Sequence, residues 1–353
     1  MRKIDRYIVR TVAASIMMVL VVVLSLDLIF GFIGEIEELR ADYQMIEALM
    51  YVIVTLPRRI YDYLPLGAFI GSLIGLGVLA NNSELVVIRA AGVSVRRIVW
   101  AAMKPAIVVV IIGLLLGEYV APFTERIAQS QKAVAMGGED RVATSRGVWH
   151  RENNVFMHFN AVQPGGVLHG ITLYSFTPNN WLETITYAAR GLYQGDFWLL
   201  EDVEVTTLTD NRSIKSSEKT RQWQTGLSPD LLGVLTVKSD NLSISGLYTY
   251  VQYLEQQGLN SSNYAMSFWK KVLRPLTTAS LVLVAISFVF GPLRAVTMGF
   301  RVFTGIIVGL VFKFMQDLLG PSSLVFGFDP VFATLIPIGV CALAGALLLR
   351  RAA

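Results

Sequence analysis

The chain has 353 residues, 54% hydrophobic and 16% charged, with a formal net charge of +4 and a mean hydropathy of +0.54. Soluble domains run nearer ~45–50% apolar and ~25% charged, so the composition points to an integral membrane protein; the modest net charge says little alone, and no nucleic-acid partner is expected. The one cysteine, Cys341, excludes an intrachain disulfide, and any part outside the cytoplasm must fold on packing alone.

The N-terminus reads MRKIDRYIVR and runs into an apolar stretch that continues to about Phe32. A cleavable signal has a core of only ~7–15 residues and a small-residue cleavage site, so a retained first span is expected. Spanning takes about 20 apolar residues. Six segments qualify: 8–32, 60–80, 98–120, 272–290, 300–319 and 331–349. Residues 1–122 form a first helical block, with a short helix at 82–92 on its cytoplasmic side. Residues 123–265 form a β domain with a connecting helix, and 266–353 carry the last three spans.

The middle block reads as β because NVFMHFNAV, GITLYSF, TITYAARGLY and EDVEVTTLT are rich in β-branched and aromatic residues. QPGG, TPNN, YQGD and TDNR punctuate them as turns. Many short strands of this kind predict a sandwich or jelly-roll-like domain. LSISGLYTYVQYLEQQGLNSSNYAMS follows as a connecting helix that ends near Gly258.

Lys and Arg placement sets the orientation. Arg2, Lys3, Arg6 and Arg10, then Arg89, Arg96, Arg97 and Lys104, then Arg294 and Arg301, then Arg350 and Arg351 all fall on one side of six spans. That side is expected to be cytoplasmic, with both termini there. The acidic loop GEIEELRADYQMIE and the β domain then lie outside, which in a bacterial inner membrane is the periplasm.

The stretch NNSELVVIRAAG is too polar to span and too apolar for an exposed loop. Asn82 or Ser83 can cap a helix with Glu84 in its first turn, and Gly92 can end it. Ser94 can cap the next helix. About nine residues make ~14 Å, half of the ~30 Å hydrocarbon layer. Leu85, Val86, Val87, Ile88, Ala90 and Ala91 make the helix apolar nearly all round, so it needs burial, in a groove of another protein or against lipid or the chain's own spans.

Basic residues also stand near the outer ends of spans. Arg58 and Arg59 precede the second, and Lys270, Lys271 and Arg274 open the fourth. They suit lipid phosphates, or they snorkel to headgroups and pair locally, as Arg58 could with Asp62. Lys313 and Asp317 sit inside the fifth span at i,i+4, where intramembrane charge faces protein or a watery cavity. Asp27 and Glu118 pose the same choice.

No G-x-x-x-x-G-K-[ST], H-E-x-x-H or G-x-S-x-G occurs. His150, His158 and His169 lack metal spacing, so neither a metal nor a catalytic residue is expected. Nucleotide chemistry, if any, belongs to another subunit.

DRYI (5–8), SELVV.RAAG (83–92), GEYVAP (117–122), LSISGL.TYV.YL (242–254) and GPLRAVTMGFRVFTGI (291–306) together resemble the lipopolysaccharide export permease family, and its G-type more than its F-type. The resemblance implies a non-catalytic subunit of an ATP-driven exporter that takes lipopolysaccharide from the outer leaflet of the inner membrane. Its implied partners are a paralogous F-type permease, a dimeric cytoplasmic ATPase that binds the ATP, a single-span jelly-roll modulator and a periplasmic bridge of similar folds. Spans one and five line the implied cavity, which makes Phe30, Phe32, Lys313 and Asp317 candidates for substrate contact beside Arg58, Arg59, Lys271 and Arg274. The 82–92 helix corresponds to a coupling helix seated in the ATPase, with Glu84, Leu85, Ile88 and Arg89 as its contacts. Some members carry lysines at the outer end of span one. Here FGFIGEIEELR has Gly31, Glu35, Glu37 and Glu38, so no basic clamp transfers there. The alternatives are another envelope-lipid or lipoprotein exporter, a membrane enzyme with a dispersed active site, and a scaffold without transport.

Overall fold

A computed structural model describes residues 2–39, 43–136, 148–163, 166–209, 212–229, 232, 239–256, 260–290 and 296–352. The helix end expected near Gly258, Arg294 of the third basic cluster, and parts of the QPGG and TDNR turns lie outside them. The helices are α1 (Arg2–Ile36), α2 (Met45–Val54), α3 (Leu56–Asn81), α4 (Glu84–Ala90) and α5 (Val95–Leu115), then a π-helical turn Leu116–Val120 and α6 (Ala121–Met136). Six strands follow: β1 (Val148–Glu152), β2 (Val155–Gln163), β3 (Val167–Phe176), β4 (Leu182–Tyr193), β5 (Trp198–Thr209) and β6 (Arg212–Trp223). After them come α7 (Ile244–Gln256), α8 (Ser262–Val272), α9 (Arg274–Phe290), α10 (Met298–Phe326) and α11 (Pro330–Ala352).

Among the described residues, five stretches are long and apolar enough to cross a membrane: Lys3–Ile36, Leu56–Asn81, Val95–Lys132, Gly299–Phe326 and Pro330–Arg351. The helices α8 and α9 pass the same test only together; they are bent by 50° at Leu273, as a broken span or a re-entrant loop. The chain divides into two compact units, one of Met1–Gly31, Leu56–Pro122 and Ser243–Ala353, the other of Phe32–Thr55 and Phe123–Leu242.

In the first unit α3 is central. Lipid tails are as apolar as leucine, so helices in a membrane gain most from close backbone contact at small residues. Gly71 and Gly75 supply it. A Cβ on Gly71 would lie 2.4 Å from the Ile16 Cα, and one on Gly75 would lie 2.9 Å from the Val12 Cα. Polar fasteners hold both ends of α1. Arg97 makes two bonds to the Asp5 carboxylate, at 3.0 and 2.8 Å. Asp27 receives Arg59 at 2.6 Å and the Tyr63 hydroxyl at 2.7 Å. Arg301, only 2% exposed, donates to the Gly77 carbonyl of α3 at 2.7 Å. Glu118 accepts from the Ile244 and Ser245 amides, so the π-turn carboxylate caps the first turn of α7.

The β domain expected in the second unit is, among the described residues, one six-stranded antiparallel sheet, a meander in chain order. The turn signals act as expected: Asn180 in TPNN has φ 60° and Gly195 in YQGD has φ 100°. Trp198 is fully buried against Leu168, Ile171 and Leu200, and its indole N–H donates to the Leu227 carbonyl at 2.9 Å. The unit also holds α2 and α6, tied by Lys132. Its ammonium meets Glu35 at 2.6 Å and Glu38 at 2.9 Å, and lies over the Tyr43 and Tyr51 rings. Glu35 also accepts from the Tyr43 hydroxyl at 2.8 Å. Burial, then that carboxylate, raises the Tyr43 pKa well above its ordinary value, so the hydroxyl stays a donor.

Candidate functional site

The helix expected around Glu84 is present as α4, seven residues long. Its start differs from the capping expectation. Ser83 holds the N-cap position at φ 62°, left-handed, without a side-chain cap bond. Asn82 instead donates to Glu84 Oε1 at 3.3 Å. The end is as expected. Gly92 has φ 82°, its amide bonds the Arg89 carbonyl, and the Val93 amide bonds the Ile88 carbonyl. That pair of bonds is a Schellman motif, and Val93 packs beside Ile88 in the same core as such motifs favour. Ser94 takes the N-cap position of α5, with its carbonyl rather than its hydroxyl bonding the first turn.

The faces of α4 are unequal. Leu85 and Ile88 are 5% and 9% exposed and belong to the core of the first unit. Val86 and Val87 are 52% and 66% exposed. Glu84 at one end is half-buried and lies near Tyr7 of α1, while Arg89 at the other is exposed. Leu85 and Ile88 thus face the chain's own spans, and the outward surface is Val86 and Val87 between a carboxylate and a guanidinium. Val86, Val87 and Tyr7 were not singled out from the sequence. A helix apolar on every side does not announce which side is covered.

The basic candidates near the other end are engaged by the chain itself. Arg59 lies against Asp27, and a Cβ on Gly31 would meet its guanidinium at 2.6 Å. Arg274 stacks at 3.9 Å on the Tyr61 ring and bonds the Tyr61 and Asp62 carbonyls. Asp62, a possible local partner of Arg58, receives Arg274 at 3.4 Å. Lys271 is 4% exposed, with its ammonium over the same Tyr61 ring at 5.1 Å. Arg58 is half-buried beside them in sequence. The candidates on α1 and α10 are more open. Phe30 is 69% exposed and Phe32 half-buried. Lys313 and Asp317 form their i,i+4 pair at 3.3 Å with both side chains largely exposed. Among the described residues no group of His, Cys, Asp and Glu could hold a metal ion.

These features agree with the sequence relationships of the chain. The family model for lipopolysaccharide export system permease LptF/LptG matches residues 6–351. The chain belongs to this family. It is 38% identical over 337 residues to the lipopolysaccharide export system permease protein LptG of Escherichia coli strain K12, covering 94% of each chain. The LptG of Escherichia coli O6:H1 gives the same values. The LptG of Haemophilus influenzae is 33% identical over 336 residues, again covering 94% of each. The match to the LptF/LptG family runs through α4, all the spans and the sheet, and marks the chain as a multi-pass protein of the inner membrane.

Proposed function

We propose that the chain is the G-type transmembrane subunit of an ATP-driven lipopolysaccharide exporter, and that it performs no chemistry itself. A paralogous permease completes the transmembrane part, and a separate cytoplasmic ATPase dimer binds and hydrolyses ATP. The termini and α4 face the cytoplasm, and the sheet faces the periplasm, beside a single-span modulator and a bridge protein. Lipopolysaccharide is the substrate, drawn from the outer leaflet. Each buried CH₂ of its acyl chains holds it in the bilayer by about 0.8 kcal/mol, so extraction needs a motor and a rigid connection to it.

The observation that carries this reading is α4. Leu85 and Ile88 fasten it to the spans, and Val86 and Val87 stand outward between Glu84 and Arg89. That pattern suits a groove on a second protein: apolar centre, ionic ends. On the substrate side, Phe30, Phe32, Lys313 and Asp317 offer the accessible surface of α1 and α10. Arg58, Arg59, Lys271 and Arg274 contribute through the positive potential they give the ends of α3 and α9.

The test is a pair of substitutions, Glu84→Ala and Val87→Asp, in the co-expressed exporter. Both are expected to leave the permease folded but to reduce recovery of the ATPase with it and lipopolysaccharide release in vesicles. Normal recovery and normal release in both variants would overturn the coupling role of α4. Charge reversal at Lys271 and Arg274 together is expected to weaken lipopolysaccharide crosslinking; unchanged crosslinking returns them to a purely structural place.

A further inference from the structure

The second short apolar helix, α2, has no part in the coupling argument. It spans ten residues, Met45–Val54, about 15 Å and too short to cross a bilayer. Its inner side is set by Ala48 and Val52, 0% and 3% exposed, followed by Thr55 at 0%. Its outer side is Met45, Ile46, Leu49, Met50 and Ile53, each 46% exposed or more. At 3.6 residues per turn these five positions fall within an arc of about 140°. Glu47 is the only charge in the helix, and it is taken up at the N-terminus, where its carboxylate accepts from the Gln44 amide at 3.1 Å.

Something apolar must cover that arc, because five adjacent large side chains facing water would be an aggregation hazard. Chain continuity limits the choice. The span α1 ends at Ile36, and α3, a second span, begins at Leu56, with only Thr55 between it and α2. The start of a span lies at the membrane surface, so α2 cannot leave it. Among the described residues, the polar contacts of α2 lie on its inner side, where Lys132, Glu35 and Tyr43 form their cluster and Gln129 donates to the Tyr51 hydroxyl at 2.8 Å. Among the described residues, the outer face of α2 carries no charged side chain of the kind that flanks Val86 and Val87.

We infer that α2 is an interfacial helix that lies in the plane of the membrane surface next to the C-terminal end of α1, with Met45, Ile46, Leu49, Met50 and Ile53 immersed among lipid acyl chains. The Lys132 cluster fixes which side of the helix turns to lipid. The inference concerns depth and holds for either orientation of the chain.

The test labels single cysteines at Ile46, Met50 and Ile53 with an environment-sensitive fluorophore. The full chain, paired with its co-expressed permease, is held in phosphatidylcholine nanodiscs without lipopolysaccharide. Cys341 is buried, and the unsubstituted chain reports any labelling there. The expected result is blue-shifted emission, loss of quenching by aqueous iodide, and strong quenching by lipids carrying a nitroxide high on the acyl chain. A label at the exposed Glu37 should show the reverse. Iodide quenching at all three positions would place the face in water and overturn the inference. Protection from both quenchers would mean that protein covers it, and would overturn it equally.

Discussion

Both α2 and α4 are too short to span, and both leave apolar side chains outside the fold. They do so in different company. The two outward valines of α4 stand between Glu84 and Arg89, and the helix is gripped from behind by Leu85 and Ile88. The outward arc of α2 is wider and uncharged, and among the described residues its polar contacts lie on the inner side. A narrow apolar strip with ionic ends suits a partner whose shape and charge are fixed. A broad uncharged strip suits a solvent with neither, such as lipid. Total hydrophobicity does not separate the two cases; the position of the charges does.

The comparison can be broken most severely from inside α4. Ile88→Ala removes buried side-chain volume from the core of the first unit and should cost about 2–4 kcal/mol, read as a lower melting temperature in detergent. Val87→Ala, on the exposed side, should stay within about 0.5 kcal/mol. Equal losses from the two would mean that the faces of α4 are misassigned. Next in size is Lys132→Ala. It leaves Glu35, only 13% exposed, without its cation, and should destabilise the second unit by roughly 2 kcal/mol. Faster hydrogen exchange should be confined to residues around Glu35, Tyr43 and α2, with α4 unchanged.

Exchanging the defect between the two helices sharpens the contrast further. Val87→Glu should reduce ATPase recovery while a fluorophore on α2 keeps its lipid signal. Met50→Glu should weaken the lipid signal while ATPase recovery stays normal. The smallest effect is in pH. The 3 histidines of the chain all lie on β1–β3, so neither α2 nor α4 has one. Burial lowers the pKa of His150, His158 and His169 below the ordinary 6.5, and the His158 and His169 Nε2 atoms are buried without a hydrogen-bond partner. The unfolded chain therefore takes up protons first on acidification. The sheet should be fully stable above about pH 6.5 and lose stability as pH falls below it, seen as faster exchange in β1–β3 at pH 5 than at pH 7.5. Exchange in α2 and α4 over the same range should show no such acceleration.

Much of the fold was legible because hydropathy and turn chemistry act locally. The candidate spans stand out by length, and β2–β5 by β-branched residues between Gly and Asn turns. Gly92 marked the end of α4 because its left-handed position strongly favours glycine. Strand β6, RSIKSSEKTRQW, was not legible: it is an edge strand exposed along nearly all its length, so no alternation is imposed on it. Helix α2 was merged with the acidic loop before it. The pairs Asp5–Arg97 and Glu35–Lys132 join residues 92 and 97 positions apart, beyond any local pattern. For the candidate site, Glu84 and Arg89 could be named, but the direction of Leu85 and Ile88 could not, since a helix this short and this uniformly apolar has no period to read.

Arg301 has a further mechanical meaning. Its guanidinium grips α3 at Gly77, one turn before the helix ends, and α4 begins three residues after that end. At its far end α4 is joined to α5, which begins five residues after Ala90. Two left-handed residues, Ser83 and Gly92, bracket the seven-residue rod, so it can tilt at its ends but has little freedom to stretch. In the proposed coupling role, a push on this rod would reach α3 and α5 through short connections and α10 through the buried Arg301.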